Sequence, residues 1–239
     1  MATIAPTGLE SDRGFYRRMA VGISIFIIFA FGQFSARGFV DFGAAPIWVH
    51  VHALVFLSWL ALFITQNILA ERNSLALHRK LGWTGAVLAL AMVALGSFVG
   101  IKAIELGRQP PFFTPPYFLA LTQISVVAFG ALILAAILHR RRTDWHQRLM
   151  LSATVMLLEP AFGRLLPMPL IGAQTGEMIA MVLQVGVLAI AMVNDRKSLG
   201  RIHPALLWGA GTVVATHLLI TWLATTPLFV DWAGRISPV

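Results

Sequence analysis

The chain has 239 residues, of which 58% are hydrophobic and 12% are charged, and it contains no cysteine. A soluble domain carries about twice that share of charge, and without cysteine there is no disulfide framework, thiolate metal site, iron–sulfur cluster or c-type haem attachment. The net charge of +8 does not predict nucleic-acid binding, because the basic residues lie in short loops beside apolar segments.

The apolar segments recur at a length that suits a lipid bilayer. A membrane-spanning helix needs about 20 apolar residues; five segments carry no charged side chain over about that length, and two others are shorter. We therefore predict an all-α bundle of seven transmembrane helices, residues 19–226, between a cytoplasmic tail, 1–18, and an outer tail, 227–239. The predicted helices span residues 19–36, 47–70, 81–104, 118–139, 145–166, 176–193 and 205–226.

The fifth predicted helix contains Pro160. Proline has no N–H to donate to the carbonyl four residues earlier, so it kinks a helix and frees that carbonyl. Inside a membrane the carbonyl of Met156 must then accept a hydrogen bond from a side chain or a water molecule.

The distribution of Lys and Arg predicts the orientation, because basic loops are retained in the cytoplasm. With the N-terminus inside, only five basic residues lie outside: Arg37, Lys102, Arg108, Arg164 and Arg235. The thirteen inside are Arg13, Arg17, Arg18, Arg72, Arg79, Lys80, Arg140, Arg141, Arg142, Arg148, Arg196, Lys197 and Arg201. We expect a multi-pass protein of a bacterial inner membrane, with the N-terminus inside and the C-terminus outside.

Three titratable side chains are predicted at similar depth in the outer leaflet. His52, Glu159 and His217 lie about 8, 10 and 14 Å from the outer ends of their helices. This donor set suits a zinc or iron ion, and histidines on facing helices suit a b-type haem. The alternative is structural: Glu159 pairs with Arg164 or Arg37, and each histidine forms a hydrogen bond with a neighbouring threonine or backbone carbonyl.

The second predicted helix carries His52, Trp59 and Gln66 at intervals of seven, which places them on one face. Because an amide facing lipid is costly, we expect this face to pack against other helices, and Phe56 and Phe63 to lie on the opposite, lipid-facing side. The candidate cofactor-binding residues are therefore His52, His217, Gln66 and Arg164.

The motif His-x6-Trp-x6-Gln is followed by His-Arg-x-Leu-Gly at residues 78–82 and later by Asp144, His146 and Arg148. With these residues, about half of the chain resembles a group of uncharacterised bacterial multi-helix membrane proteins. The resemblance implies importance, without a defined role, for His52, Gln66, His78, Arg79, His146 and Arg164.

A second candidate site lies at the predicted cytoplasmic edge, where His78, Arg79 and His146 accompany His139 and His203. These histidines form a second potential metal or haem set. The alternative is that they are solvated interfacial residues beside basic loops.

Several function classes are excluded. The last predicted helix has no lysine for a retinal Schiff base, and the chain has no Gly-rich phosphate loop and no cysteine nucleophile. We expect an integral membrane protein whose outer-leaflet site binds haem b, a zinc or iron ion, or a small ligand. Two alternatives stay open: a non-catalytic subunit that packs against other subunits of a larger membrane complex, and a metal-dependent intramembrane hydrolase.

Overall fold

The computed structural model describes residues 8–238, which form ten helices and no strand. The helices are α1 Gly8–Ala36, α2 Ile47–Glu71, α3 Leu75–Glu105, α4 Pro115–Leu138, α5 Thr143–Met156, α6 Glu159–Leu165, α7 Met168–Ile171, α8 Ala173–Leu199, α9 Pro204–Leu223 and α10 Pro227–Ile236.

Six of these helices are long and apolar enough to cross a membrane: α1, α2, α3, α4, α8 and α9. The protein is therefore a multi-pass, all-α membrane protein. The fifth predicted span, 145–166, corresponds to two shorter helices, α5 and α6, separated at Leu157 and Leu158. The interruption lies just before Pro160, as expected for a residue that cannot donate to the preceding turn.

Both predicted tails contain helix. The helix α1 begins at Gly8, so much of the predicted polar tail 1–18 is helical, and residues 1–7 lie outside the described residues. The predicted tail 227–239 forms α10, whose Pro227 suits a first helical turn. Phe229 and Ala233, one turn apart, are buried where α10 contacts α3 and α4.

The helices pack mainly in chain order, each of α1 to α4 against the next. The centre of the bundle is α4, which also contacts α5 and α9, while α8 contacts α9 and α6. Contacts of α1 with α6 and α8 join the first half of the chain to the second. Because α8 contacts both α6 and α9, polar residues of these three helices can come together.

The packing of α2 confirms one prediction and corrects another. Trp59 is buried as predicted, and its ring lies 5.4 Å from that of Phe129 on α4. The prediction that Phe63 faces lipid is wrong, because only 6% of Phe63 is exposed. Phe63 follows Trp59 by one helical turn and therefore shares its face. Phe56 is half-buried and packs against the core, so it does not lie on a free lipid face either.

Candidate functional site

The break between α5 and α6 is stabilised by a side chain from another helix. Gln184, on α8, donates its amide Nε2 to the carbonyls of Val155 and Met156, at 3.0 and 3.3 Å. This confirms the prediction that a side chain or water must satisfy the Met156 carbonyl. Since Nε2 faces the break, the amide oxygen of Gln184 faces the opposite way and is available as an acceptor.

That amide oxygen fixes the protonation pattern of His217 on α9. The Nε2–H of His217 donates to Gln184 Oε1 at 2.9 Å, because an amide oxygen can only accept. In the neutral imidazole the other nitrogen, Nδ1, then carries a lone pair. Nδ1 lies 3.7 Å from Oε2 of Glu177. The histidine thus presents a basic atom to a carboxyl group.

Glu177 lies four residues into α8, and only 2% of it is exposed. Neither of its carboxyl oxygens receives a hydrogen bond from a donor within residues 8–238. Glu159, the first residue of α6, interacts with the Glu177 carboxyl group, and a hydrogen bond between two carboxyl groups requires a proton on one of them. The two acids therefore form a carboxyl pair next to His217.

The cation Arg164 interacts electrostatically with Glu159. Its guanidinium donates to the carbonyl of Pro160 at 2.7 Å and lies 3.9 Å above the ring of Phe31. Gln33 on α1 donates to the backbone carbonyl of Arg164 at 3.1 Å. These contacts hold α6 against α1 and hold the arginine close to the acids.

The four predicted cofactor-binding residues lie in three different clusters of the structure. His52 stacks near Phe56, with ring centres 4.2 Å apart, and its buried Nδ1 has no hydrogen-bond partner among the described residues. It interacts electrostatically with Arg164, whereas His217 contacts Gln184 and Glu177. Gln66 lies fourteen residues from His52, almost four turns along α2, and contacts a different cluster.

Metal chemistry needs several ligands around one point. Within residues 8–238, no three His, Asp or Glu side chains are grouped closely enough to hold a metal ion. The set of His52, Glu159 and His217 as metal ligands, and haem ligation by the two histidines, stay predictions.

Two histidines of the second predicted set, His78 and His146, lie next to each other. Gln66 and His78 form two reciprocal hydrogen bonds between side chain and backbone. Gln66 Nε2 donates to the carbonyl oxygen of His78 at 3.1 Å, and His78 Nδ1 donates to the carbonyl oxygen of Gln66 at 3.2 Å. His146 Nδ1 donates to the carbonyl of Ala136 at 2.8 Å. The two imidazole rings are perpendicular, with centres 6.3 Å apart, while Arg79 is exposed.

The same end of the bundle holds an ion pair that the sequence did not reveal. Arg148 on α5 and Asp195 on α8 are fully buried, with Nη2 and Oδ1 2.5 Å apart. The backbone N–H of His203 donates to Asp195 at 3.1 Å, and His203 Nε2 donates to Asp144 at 3.0 Å. This network joins α5, α8 and the start of α9.

Sequence reasoning missed Glu177 and Gln184, although a usable signal was present. The two residues are seven apart on one predicted helix, the same spacing that identified the stripe on α2. Asp195 offered no such signal, because it lies near the basic end of α8 and resembles a solvated loop residue.

Comparison of the chain with protein-family models, with curated proteins and with solved structures gave no match. The function must therefore be argued from the site.

Proposed function

We propose that the protein binds and releases a proton inside the membrane, at the carboxyl pair of Glu159 and Glu177, with His217 as the neighbouring base. The observation that carries the proposal is the buried Glu177 carboxyl group, which receives no hydrogen bond from any donor within residues 8–238 and lies beside a second carboxyl group and an imidazole nitrogen.

Charge balance supports a bound proton. Two ionised carboxylates side by side repel each other, and burying an unpaired charge is strongly unfavourable. Arg164 compensates Glu159, whereas no Lys or Arg within residues 8–238 forms an ion pair with Glu177. One proton on the pair removes the excess negative charge and supplies the missing hydrogen bond between the two carboxyl groups.

The geometry also supplies a route for the proton. His217 Nδ1 faces Glu177 Oε2 across 3.7 Å, slightly more than the length of a hydrogen bond. Ionisable side chains within transmembrane segments typically serve proton relays or ion pathways. We infer that the interruption before Pro160 has a functional purpose, since it provides the carbonyls that orient Gln184 and, through it, His217.

Infrared spectroscopy of the full chain in lipid nanodiscs tests the proposal through Glu177→Gln, which keeps the shape of the side chain but cannot ionise. We expect the wild type to show a protonated carboxyl band at neutral pH that disappears on alkalinisation and is absent from Glu177→Gln. Glu71→Gln is the matched control, because Glu71 pairs with Arg17 at the surface, 2.6 Å away, and it should leave the band unchanged.

Two results would contradict the proposal. One is a wild-type spectrum without any protonated carboxyl band at neutral pH. The other is a Soret band or a stoichiometric zinc or iron ion in the same purified sample, which would assign the outer cluster to the haem or metal chemistry predicted from His52 and His217.

The proton site is proposed to lie in the outer leaflet of a bacterial inner membrane, with α5 and α6 together forming a seventh crossing. The basic loops 72–80, 140–142 and 196–201 then face the cytoplasm. A reporter that is active only outside the cytoplasm should therefore work when fused after Val239 and fail when inserted near Arg141. Activity of the Arg141 fusion alone would reverse the predicted orientation. Activity of both fusions, or of neither, would place the two positions on the same side of the membrane and refute an odd number of crossings.

A further inference from the structure

A groove on the side of the bundle lies between α4, α5 and α9, and its lining contains none of Glu159, Glu177 and His217. Its volume is about 410 Å³, and its lining includes Leu132, Leu149, Trp208 and Thr212. Trp208 is 67% exposed although it is large and apolar. Along most of its length the groove is therefore apolar and open toward the surrounding membrane.

One end of the groove differs from the rest. There His139 stacks on Trp145, with ring centres 5.1 Å apart, and both residues line the groove. Histidine and tryptophan combine an apolar ring with a polar nitrogen, and tryptophan is enriched at the level of lipid headgroups. The groove thus runs from the membrane interior, near Leu132, to the interface, about 10 Å away along α4.

Three consecutive arginines adjoin this interfacial end. Arg140, Arg141 and Arg142 directly follow His139 and are largely exposed, and the guanidinium of Arg142 lies 5.2 Å above the Trp145 ring. None of the three has an ion-pair partner in the part of the chain that the structure describes. Asp144 interacts electrostatically with Arg142, but its carboxylate accepts a hydrogen bond from His203.

We propose that this groove binds one anionic phospholipid, with an acyl chain between α4 and α9 and the phosphate group at Arg140, Arg141 and Arg142. Guanidinium groups bind phosphate oxygens in a bidentate manner, and basic pockets between transmembrane helices bind anionic headgroups on the cytoplasmic side. A partner helix would leave the three positive charges uncompensated. A phospholipid matches both the apolar groove and the charges at its end.

Tryptophan fluorescence in nanodiscs tests the proposal. The full chain is placed in phosphatidylcholine discs that contain an increasing fraction of one brominated lipid. That lipid is either brominated phosphatidylglycerol or brominated phosphatidylcholine, and the bromine atoms on its acyl chains quench nearby indoles. We expect half-maximal quenching at about tenfold less brominated phosphatidylglycerol than brominated phosphatidylcholine. The difference should become smaller in Trp208→Phe, which removes one of the two indoles that line the groove.

The variant Arg140→Gln/Arg141→Gln/Arg142→Gln should abolish the preference for phosphatidylglycerol. Its matched control is Arg72→Gln/Arg79→Gln/Lys80→Gln, which removes the same charge from exposed positions at the same end of the bundle and should retain the preference. Equal quenching by the two lipids in the wild type, or loss of the preference in the control variant as well, would overturn the proposal. So would displacement by soluble glycerol phosphate, because the headgroup alone would then suffice.

Discussion

Replacing Asp195 with alanine is expected to lower the free energy of unfolding by about 3–5 kcal/mol, because the Arg148 guanidinium would stay buried without its counter-charge. The pair has side-chain exposures of 1% and 0%, with two further hydrogen bonds from Arg148 Nε to the carboxylate at 3.1 and 3.0 Å. The Asp195 carboxylate also accepts from the backbone of His203. The change would thus remove the link between α5, α8 and the start of α9.

The measurement is denaturant unfolding in one detergent, followed by circular dichroism. The double variant Arg148→Met/Asp195→Leu should recover most of the loss, because apolar residues of similar volume often replace a buried ion pair without a large penalty. Glu71→Gln, which breaks the exposed pair with Arg17, should cost at most about 1 kcal/mol. A loss below about 1 kcal/mol for Asp195→Ala would show that the pair does not hold these helices together.

Replacing Gly209 with alanine is expected to separate α9 from α5 and to cost about 1–3 kcal/mol through overpacking. A methyl group at Gly209 would lie 2.6 Å from the Cβ of Ser152, and that atom cannot move without its backbone. Both residues are in helices, and a glycine at such a crossing lets two membrane helices approach closely.

Gly211 provides the control, because it lies two residues away on the same helix and nothing lies within 4 Å of a methyl group placed there. Gly211→Ala should leave stability unchanged or raise it by up to about 1 kcal/mol, since alanine favours helix more than glycine does. If unfolding in the same detergent shows equal stabilities for the two variants, the close approach of α5 and α9 is not present in solution.

The fold class followed from the sequence because a bilayer imposes its own length and polarity on each crossing. Six predicted spans correspond to helices of sufficient length and hydropathy. The Pro160 break was also predictable, because it depends only on the local absence of an N–H donor. The identity of the donor, Gln184, was not, since it required knowing that α8 packs against the end of α5.

The candidate site shows the same limit. His217 and Glu159 were found because polar residues stand out within apolar spans, and residue counting placed them at similar depth. Depth alone does not specify which helices are neighbours, so the contacts of His217 with Gln184 and Glu177 could not be predicted. The error at Phe63 has a simpler cause, because the period of the helix already placed that residue beside Trp59.

The proton site depends on a neutral His217 that carries its proton on Nε2 and leaves Nδ1 free for Glu177. Nitrogen-15 NMR of the histidine-labelled protein in nanodiscs at neutral pH measures this directly, with His217→Gln identifying the signals. We predict one protonated and one unprotonated ring nitrogen for His217, with the proton on Nε2. A doubly protonated imidazolium would place the proton on the histidine and leave both carboxyl groups ionised, and a proton on Nδ1 alone would break the hydrogen bond to Gln184; either result would contradict a proton shared by Glu159 and Glu177.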